Sequence, residues 1–247
     1  MITVTKNAGE SGNFTVPPGV NWLKVTMWGG GGSGQATRYA LGLGYARGGG
    51  GAGVIENWIY TVTPGELIAY AVGSGGAAVE VPASDSTYGN AGGNTTFGTM
   101  TAYAGGAGAI GFLTGGAATA DGHTADGGDS TEGEDGATYD HGDGGKLYGG
   151  GAGNFYLVGH DGVGGDSKSA GGIGETYAAD ENAGGGGGSY GVGGVGKART
   201  TSAGAGVQGG GGGGCVQEDT GYFSGAGGGG YLIIQYQPPL KCTIPMF

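Results

Sequence analysis

The sequence predicts an all-β protein: a jelly-roll-like β-sandwich base with long glycine-rich loops that run as polyglycine or polyproline-II helices. Three observations carry this reading. Short runs alternate apolar and polar residues between turns that contain Pro and Gly. Helical 3.6-residue periodicity is almost absent. Glycine supplies 71 of the 247 residues, in several places at three-residue spacing.

The expected strands are Ile2–Thr5, Asn13–Val16, Val20–Trp28, Gly53–Val62, Glu66–Val72, Thr95–Tyr103 and Tyr231–Tyr236. Within Val20–Trp28, Leu23, Val25 and Met27 fall on one face, and Trp22, Lys24, Thr26 and Trp28 on the other. Pro17-Pro18-Gly19 and Thr63-Pro64-Gly65-Glu66 supply turns at the right places between strands. Short strands with such turns make a sandwich or a small barrel. A single domain, 1–236, is therefore expected. Its strand-rich base covers 1–105 and 225–236, its glycine-rich loop region 106–224, and a C-terminal tail 237–247 follows.

Composition alone would place so glycine-rich a chain among disordered ones. Fixing each glycine backbone costs about 1–2 kcal/mol, so an ordered chain must offset this with dense backbone hydrogen bonding and close packing. Three-residue rows suggest how: Gly185, Gly188, Gly191 and Gly194; Gly159, Gly162 and Gly165; Gly206, Gly209 and Gly212. A polyproline-II helix has three residues per turn, which puts each row along one edge. Such a helix has no internal hydrogen bonds, so every N–H and C=O must pair outward. Collagen is excluded because no strict Gly-X-Y repeat persists.

The net charge of −11 repels phosphate backbones and argues against nucleic-acid binding. No apolar run approaches the ~20 residues of a membrane-spanning helix, so no membrane insertion is expected. "MITVTKNAGE" lacks a basic n-region and an apolar h-region, so no secretory route is expected either. Without one, the sequons Asn13-Phe14-Thr15 and Asn94-Thr95-Thr96 carry no weight. Cys215 and Cys242 are too few for a disulfide framework. They are read as unpaired thiols, with a bridge between them as the alternative.

Catalytic motifs are weak. "GVGGVGKA" at 191–198 satisfies G-x-G-x-x-G and most of a P-loop, but Ala198 stands where a Mg²⁺-binding hydroxyl is needed. His160 beside Asp161 has no Ser or Cys in a nucleophile context. The acidic stretch 121–145 reads as a solvated loop. Asp121, Asp126 and Asp129 are weak Ca²⁺ candidates, and His123 with His141 a weaker transition-metal pair. No catalytic residue, no cofactor and no enzymatic activity are expected.

The ordered motifs resemble the glycine-rich domains of bacteriophage tail-fibre and related virion proteins. The resemblance rests on Phe14-Thr15-Val16-Pro17-Pro18-Gly19-Val20, Lys24-Val25-Thr26-Met27-Trp28 with Gly29–Gly32, and Val62-Thr63-Pro64-Gly65-Glu66. Val72-Gly73-Ser74-Gly75-Gly76, Gly92-Gly93-Asn94-Thr95-Thr96-Phe97-Gly98 and the closing Gly225–Gly230 with Tyr231-Leu232-Ile233-Ile234 complete it. It covers roughly the first 110 residues and 225–236. It implies a sandwich base and, as in the tail-tip adhesins of T-even-like phages, loops packed as polyglycine-II helices. It also implies a virion protein, assembled in the host cytoplasm, that recognises a host-surface glycan or outer-membrane protein.

Within that resemblance, Tyr139, Tyr148, Phe155, Tyr156 and Tyr177 are receptor-binding candidates, because loop aromatics bury area at little entropic cost. The family's domain usually ends a longer fibre, whereas this sequence starts at Met1 without a shaft. Attachment to other virion proteins is therefore expected through Leu240, Ile244, Met246 and Phe247 of the tail. A homo-oligomer is compatible with this. Alternatives are a capsid decoration or head-fibre protein, an ice-binding protein, and a bacterial surface protein.

Overall fold

The computed structural model of the chain describes residues 1–38, 44–109, 113–130, 146–153, 162–178, 181–199 and 201–238. Among them every regular element is a strand. Two antiparallel sheets face each other. The first has the order Ile2–Asn7, Tyr231–Tyr236, Trp22–Trp28, Val54–Thr61 and Leu147–Tyr148. The second runs His123–Ala125, Ala118–Ala120, Met100–Ala102, Thr95–Phe97, Leu67–Ala71 and Ser11–Thr15. One core lies between them. Leu23, Val25, Met27, Ile55, Leu232 and Ile234 come from the first sheet, and Ile68, Phe97, Met100, Ala102 and Ala118 from the second. This is a β-sandwich, as the alternation of Leu23, Val25 and Met27 requires.

Three departures from the sequence reading shape the sandwich, and smaller sheets, such as Glu175–Ala178 with Glu181–Ala183 and Gly44–Ala46, lie outside it. Thr95–Tyr103 is two strands, Thr95–Phe97 and Met100–Ala102, because Gly98 turns the chain at φ +57°. The hairpin Ala118–Ala125 and the strand Leu147–Tyr148 complete the sandwich, although both come from the segment read as glycine-rich loop. Asp121 and Gly122 turn that hairpin with φ of 47° and 82°, the Asp-Gly chemistry of a two-residue turn. Finally, the strand Val54–Thr61 is bulged. Val25 pairs with Trp58 and Met27 with Ile55, leaving Glu56 and Asn57 opposite Thr26. Asn57 takes φ 52°, and its N–H donates to Thr26 Oγ1 at 3.0 Å. The extra residue resets the alternation, so Trp58 turns inward and Ile59 outward.

Where Trp22–Trp28 ends, the chain continues straight on as a glycine rod. Its hydrogen bonds step by three. The N–H groups of Gly29, Gly32 and Gln35 donate to the carbonyls of Gly53, Gly50 and Arg47. Those of Gly30 and Ser33 donate to Gly93 and Asn90, and those of Gly31 and Gly34 to Gly228 and Gly225. Partner numbers fall as donor numbers rise, so these three neighbours run antiparallel. The rod's carbonyls accept from Gly105 and Gly108, from Gly212 and Cys215, and from Gly76. One rod thus bonds six neighbouring segments, the three-fold symmetry of polyglycine II.

The six-fold contact explains the glycine. A Cβ on Gly30 would lie 2.0 Å from the carbonyl oxygen of Ser74, and one on Gly32 only 1.8 Å from that of Gly106. No side chain fits between rods at that spacing.

The three-residue rows are realised in part. Gly185 and Gly188 donate to Gly162 and Gly165, so two of the expected rows do lie side by side. The row of four is broken, however. Gly186 donates to Gly194 and Ser189 to Gly191, so the chain reverses between them. Gly209, at φ +82°, likewise sits in a turn rather than on an edge.

Cys215 is a free thiol, fully buried beside the rods. Burial pushes its pKa up to about 11, a hydrogen bond with Gln217 opposing the rise. In a Cys242→Ser chain, Cys215 is expected to resist alkylation at neutral pH until the protein unfolds. Mass spectrometry checks this, and rapid modification of the native chain would show that the rods open there. Cys242 lies outside the described residues.

Candidate functional site: an aromatic groove between sandwich and bundle

The site grows from the strand–rod junction. Trp28 is the last residue of its strand and pairs with Tyr231, the first residue of the strand that follows the rod 225–230. Its indole is almost fully buried between two tyrosines. The Tyr190 ring lies parallel at 4.2 Å with an interplanar angle of 2°, and the Tyr231 ring stacks at 5.3 Å on the indole. Trp28 Nε1–H donates to the Gly229 carbonyl at 3.1 Å.

Tyr190 is held there by the reversal between rods. Buried Ser189 donates its hydroxyl to the Ala52 carbonyl at 2.7 Å, and Ser169 donates its hydroxyl to the Tyr190 carbonyl at 2.7 Å. Gln208 comes from a second reversal, in which Gly210 N–H donates to the Val207 carbonyl. Gln208 itself has φ 45°, a conformation uncommon outside glycine. Together Trp28, Tyr190, Gln208, Gly229, Gly230, Tyr231 and Ile233 line an open groove of about 530 Å³.

Gly229, which lines the groove, has a spare backbone donor. In the rod 225–230, Gly227 N–H donates to Gly76, Gly228 to Gly210 and Gly230 to Gly73. Gly229 N–H points in the third direction of the rod, where no described residue accepts from it.

Beside the groove, Lys168 Nζ forms an ion pair with Glu56 and sits 5.4 Å from the ring centres of both Tyr148 and Tyr190. Burial would lower its pKa, but the hydrogen bond and charge of Glu56 outweigh that and raise it. The lysine therefore stays charged and committed to Glu56.

Residues expected to form a site are scattered. Tyr148 is half-buried in an edge strand of the sandwich, not on a loop. Tyr177 falls in the strand Glu175–Ala178. Tyr139, Phe155, Tyr156, His141, His160, Leu240, Ile244, Met246 and Phe247 lie outside the described residues. Asp121 Oδ2 accepts from Trp58 Nε1–H at 2.8 Å, and Asp129 pairs with Thr114 in a short sheet. Asp126 is exposed. Among the described residues, no three His, Cys, Asp or Glu side chains converge as metal ligands. In the P-loop-like stretch, Lys197 pairs with Glu175 at 3.4 Å and Ala198 joins a strand.

A family model described as a glycine-rich domain matches residues 5–237. The chain belongs to the glycine-rich domain family. Among curated proteins none matches it. In this glycine-rich domain, the sequence reading missed Trp28, Tyr190, Gln208 and Tyr231 as a group. One signal was available: Trp28 immediately precedes a glycine run, Tyr231 immediately follows one, and Tyr190 comes just after Gly184–Gly188.

Proposed function

We propose that this glycine-rich domain is a non-enzymatic structural protein of a bacteriophage virion, serving as a tail-fibre or tail-tip component in host recognition. The supporting observation is the rod whose backbone bonds six neighbours. Packing dictates glycine inside the bundle, whereas the reversals between rods carry side chains, as at Tyr190 and Gln208. A rigid scaffold that presents side chains on its turns is what surface recognition needs. Its partners are a host-surface glycan or outer-membrane protein at the turns, and other virion proteins at the tail.

Antibody labelling of particles in negative stain tests the reading, and label at the tail tip is the expected result. Label on the head would replace it with a capsid decoration or head-fibre role. A chain truncated after Gln237 is expected to fold with unchanged melting yet fail to enter particles. Loss of stability in the isolated truncated chain would make the tail part of its own core instead.

A further inference from the structure

The groove at the strand–rod junction gathers two of those turns, at Tyr190 and Gln208, into one built surface. Its lining carries no charge: three aromatic rings, one aliphatic side chain, one amide and two glycines. The nearby cation, Lys168, is committed to Glu56. An anionic ligand would meet a chain of net charge −11 with no cation lining the groove. A cationic ligand would find no carboxylate in the lining.

What the lining offers is apolar ring surface beside isolated polar groups. Those groups are the Gln208 amide, the two tyrosine hydroxyls and the spare Gly229 N–H. A ligand that suits it has apolar C–H surface and several hydroxyls, and carries no charge. A pyranose sugar has these properties. The volume of about 530 Å³ falls in the range of small-molecule clefts. Three features would make the groove preorganised. Trp28 stacks on two tyrosines, the Tyr190 carbonyl accepts from the Ser169 hydroxyl while its neighbour Ser189 is tied to Ala52, and Gln208 is fixed in a left-handed turn. Rigid aromatic contacts cost little entropy on binding.

We propose that this groove binds a neutral pyranose unit of a glycan; the host-surface origin of that glycan rests on the recognition reading above. Gln208 and Gly229 N–H hydrogen-bond the sugar hydroxyls, and the Tyr231 ring, with the edge of the Tyr190 ring beside it, covers its C–H surface. The site is separate from the aromatics expected on the loops.

The purified full chain, applied to an array of neutral glycans and their sialylated or phosphorylated counterparts, tests this. Binding to a neutral set is expected. Titration of the best neutral oligosaccharide should then weaken at least tenfold in Tyr190→Ala and in Gln208→Gly. The second variant keeps the turn, because glycine adopts φ 45° freely. Tyr88→Ala, on an exposed residue outside the groove lining, should bind normally. Binding to anionic glycans only, no glycan bound, or full affinity in a folded Gln208→Gly chain would each overturn the proposal.

Particles carrying Gln208→Gly separate the two ideas. Sugar binding lost while adsorption stays normal leaves the groove standing and removes it from host recognition. Tail-tip labelling with no sugar bound leaves host recognition standing and removes the groove.

Discussion

A Gly32→Val chain is expected to lose at least about 4 kcal/mol of stability, among the largest effects a single substitution produces. The cause is local and geometric. A Cβ at Gly32 meets the carbonyl oxygen of Gly106 at 1.8 Å, and that oxygen is backbone, which cannot swing aside. Moving it would also break the bond that Gly50 N–H donates to the same carbonyl. Because the rod touches six segments, the displacement spreads instead of being absorbed. At about 2–4 °C per kcal/mol for a chain this size, melting should fall by roughly 8–16 °C. Gly229→Ala provides the comparison, since the nearest atom to its Cβ is the Ala8 side chain at 3.0 Å. Thermal melts that place the two variants together would show that rod packing does not dictate glycine here.

Trp28→Ala should be nearly as damaging, at about 3–5 kcal/mol, the cost of removing a large buried aromatic. The indole fills the junction where the sandwich hands over to the rods. It stacks on Tyr190 and Tyr231 and satisfies the Gly229 carbonyl. Its loss would leave a cavity, an unpaired carbonyl and two tyrosines without support. Trp22, 38% exposed on the same strand, is the internal control and should cost far less. Urea unfolding of both variants measures the difference. If Trp22→Ala proved equally costly, the stack would be ornamental and the groove would have no rigid floor.

These two positions also mark how far the sequence could be read. The strand expected at Val20–Trp28, observed as Trp22–Trp28, and its inward face were legible, because a two-residue alternation is a local property of the backbone. Tyr231–Tyr236 was found with its bounds intact for the same reason. The hairpin Ala118–Ala125 was missed although its Asp121-Gly122 turn carries a recognisable signature. Its strands are only three residues each and made of Ala, Thr and His, so alternation had little contrast to show. The bulge at Asn57 was invisible, since an extra residue changes which face Trp58 takes without changing its neighbours in sequence.

What the sequence determined by itself was the class of solution: strands that alternate, and glycine at a density and spacing that an ordered chain can use only through backbone-to-backbone packing. The three-residue spacing already implied helices of three residues per turn that bond outward. What tertiary structure alone decided was which rods touch and where the chain reverses. Gly185 and Gly188 share an edge, whereas Gly191 and Gly194 lie beyond a turn at Ser189 and Tyr190. Glycine has no side chain with which to mark its partner, so a row of glycines can join any other row of the same spacing. The choice is fixed by the ends, where Trp28, Tyr190 and Tyr231 stack at one junction from positions far apart in the chain. The groove exists for that reason, and no stretch of the sequence holds it.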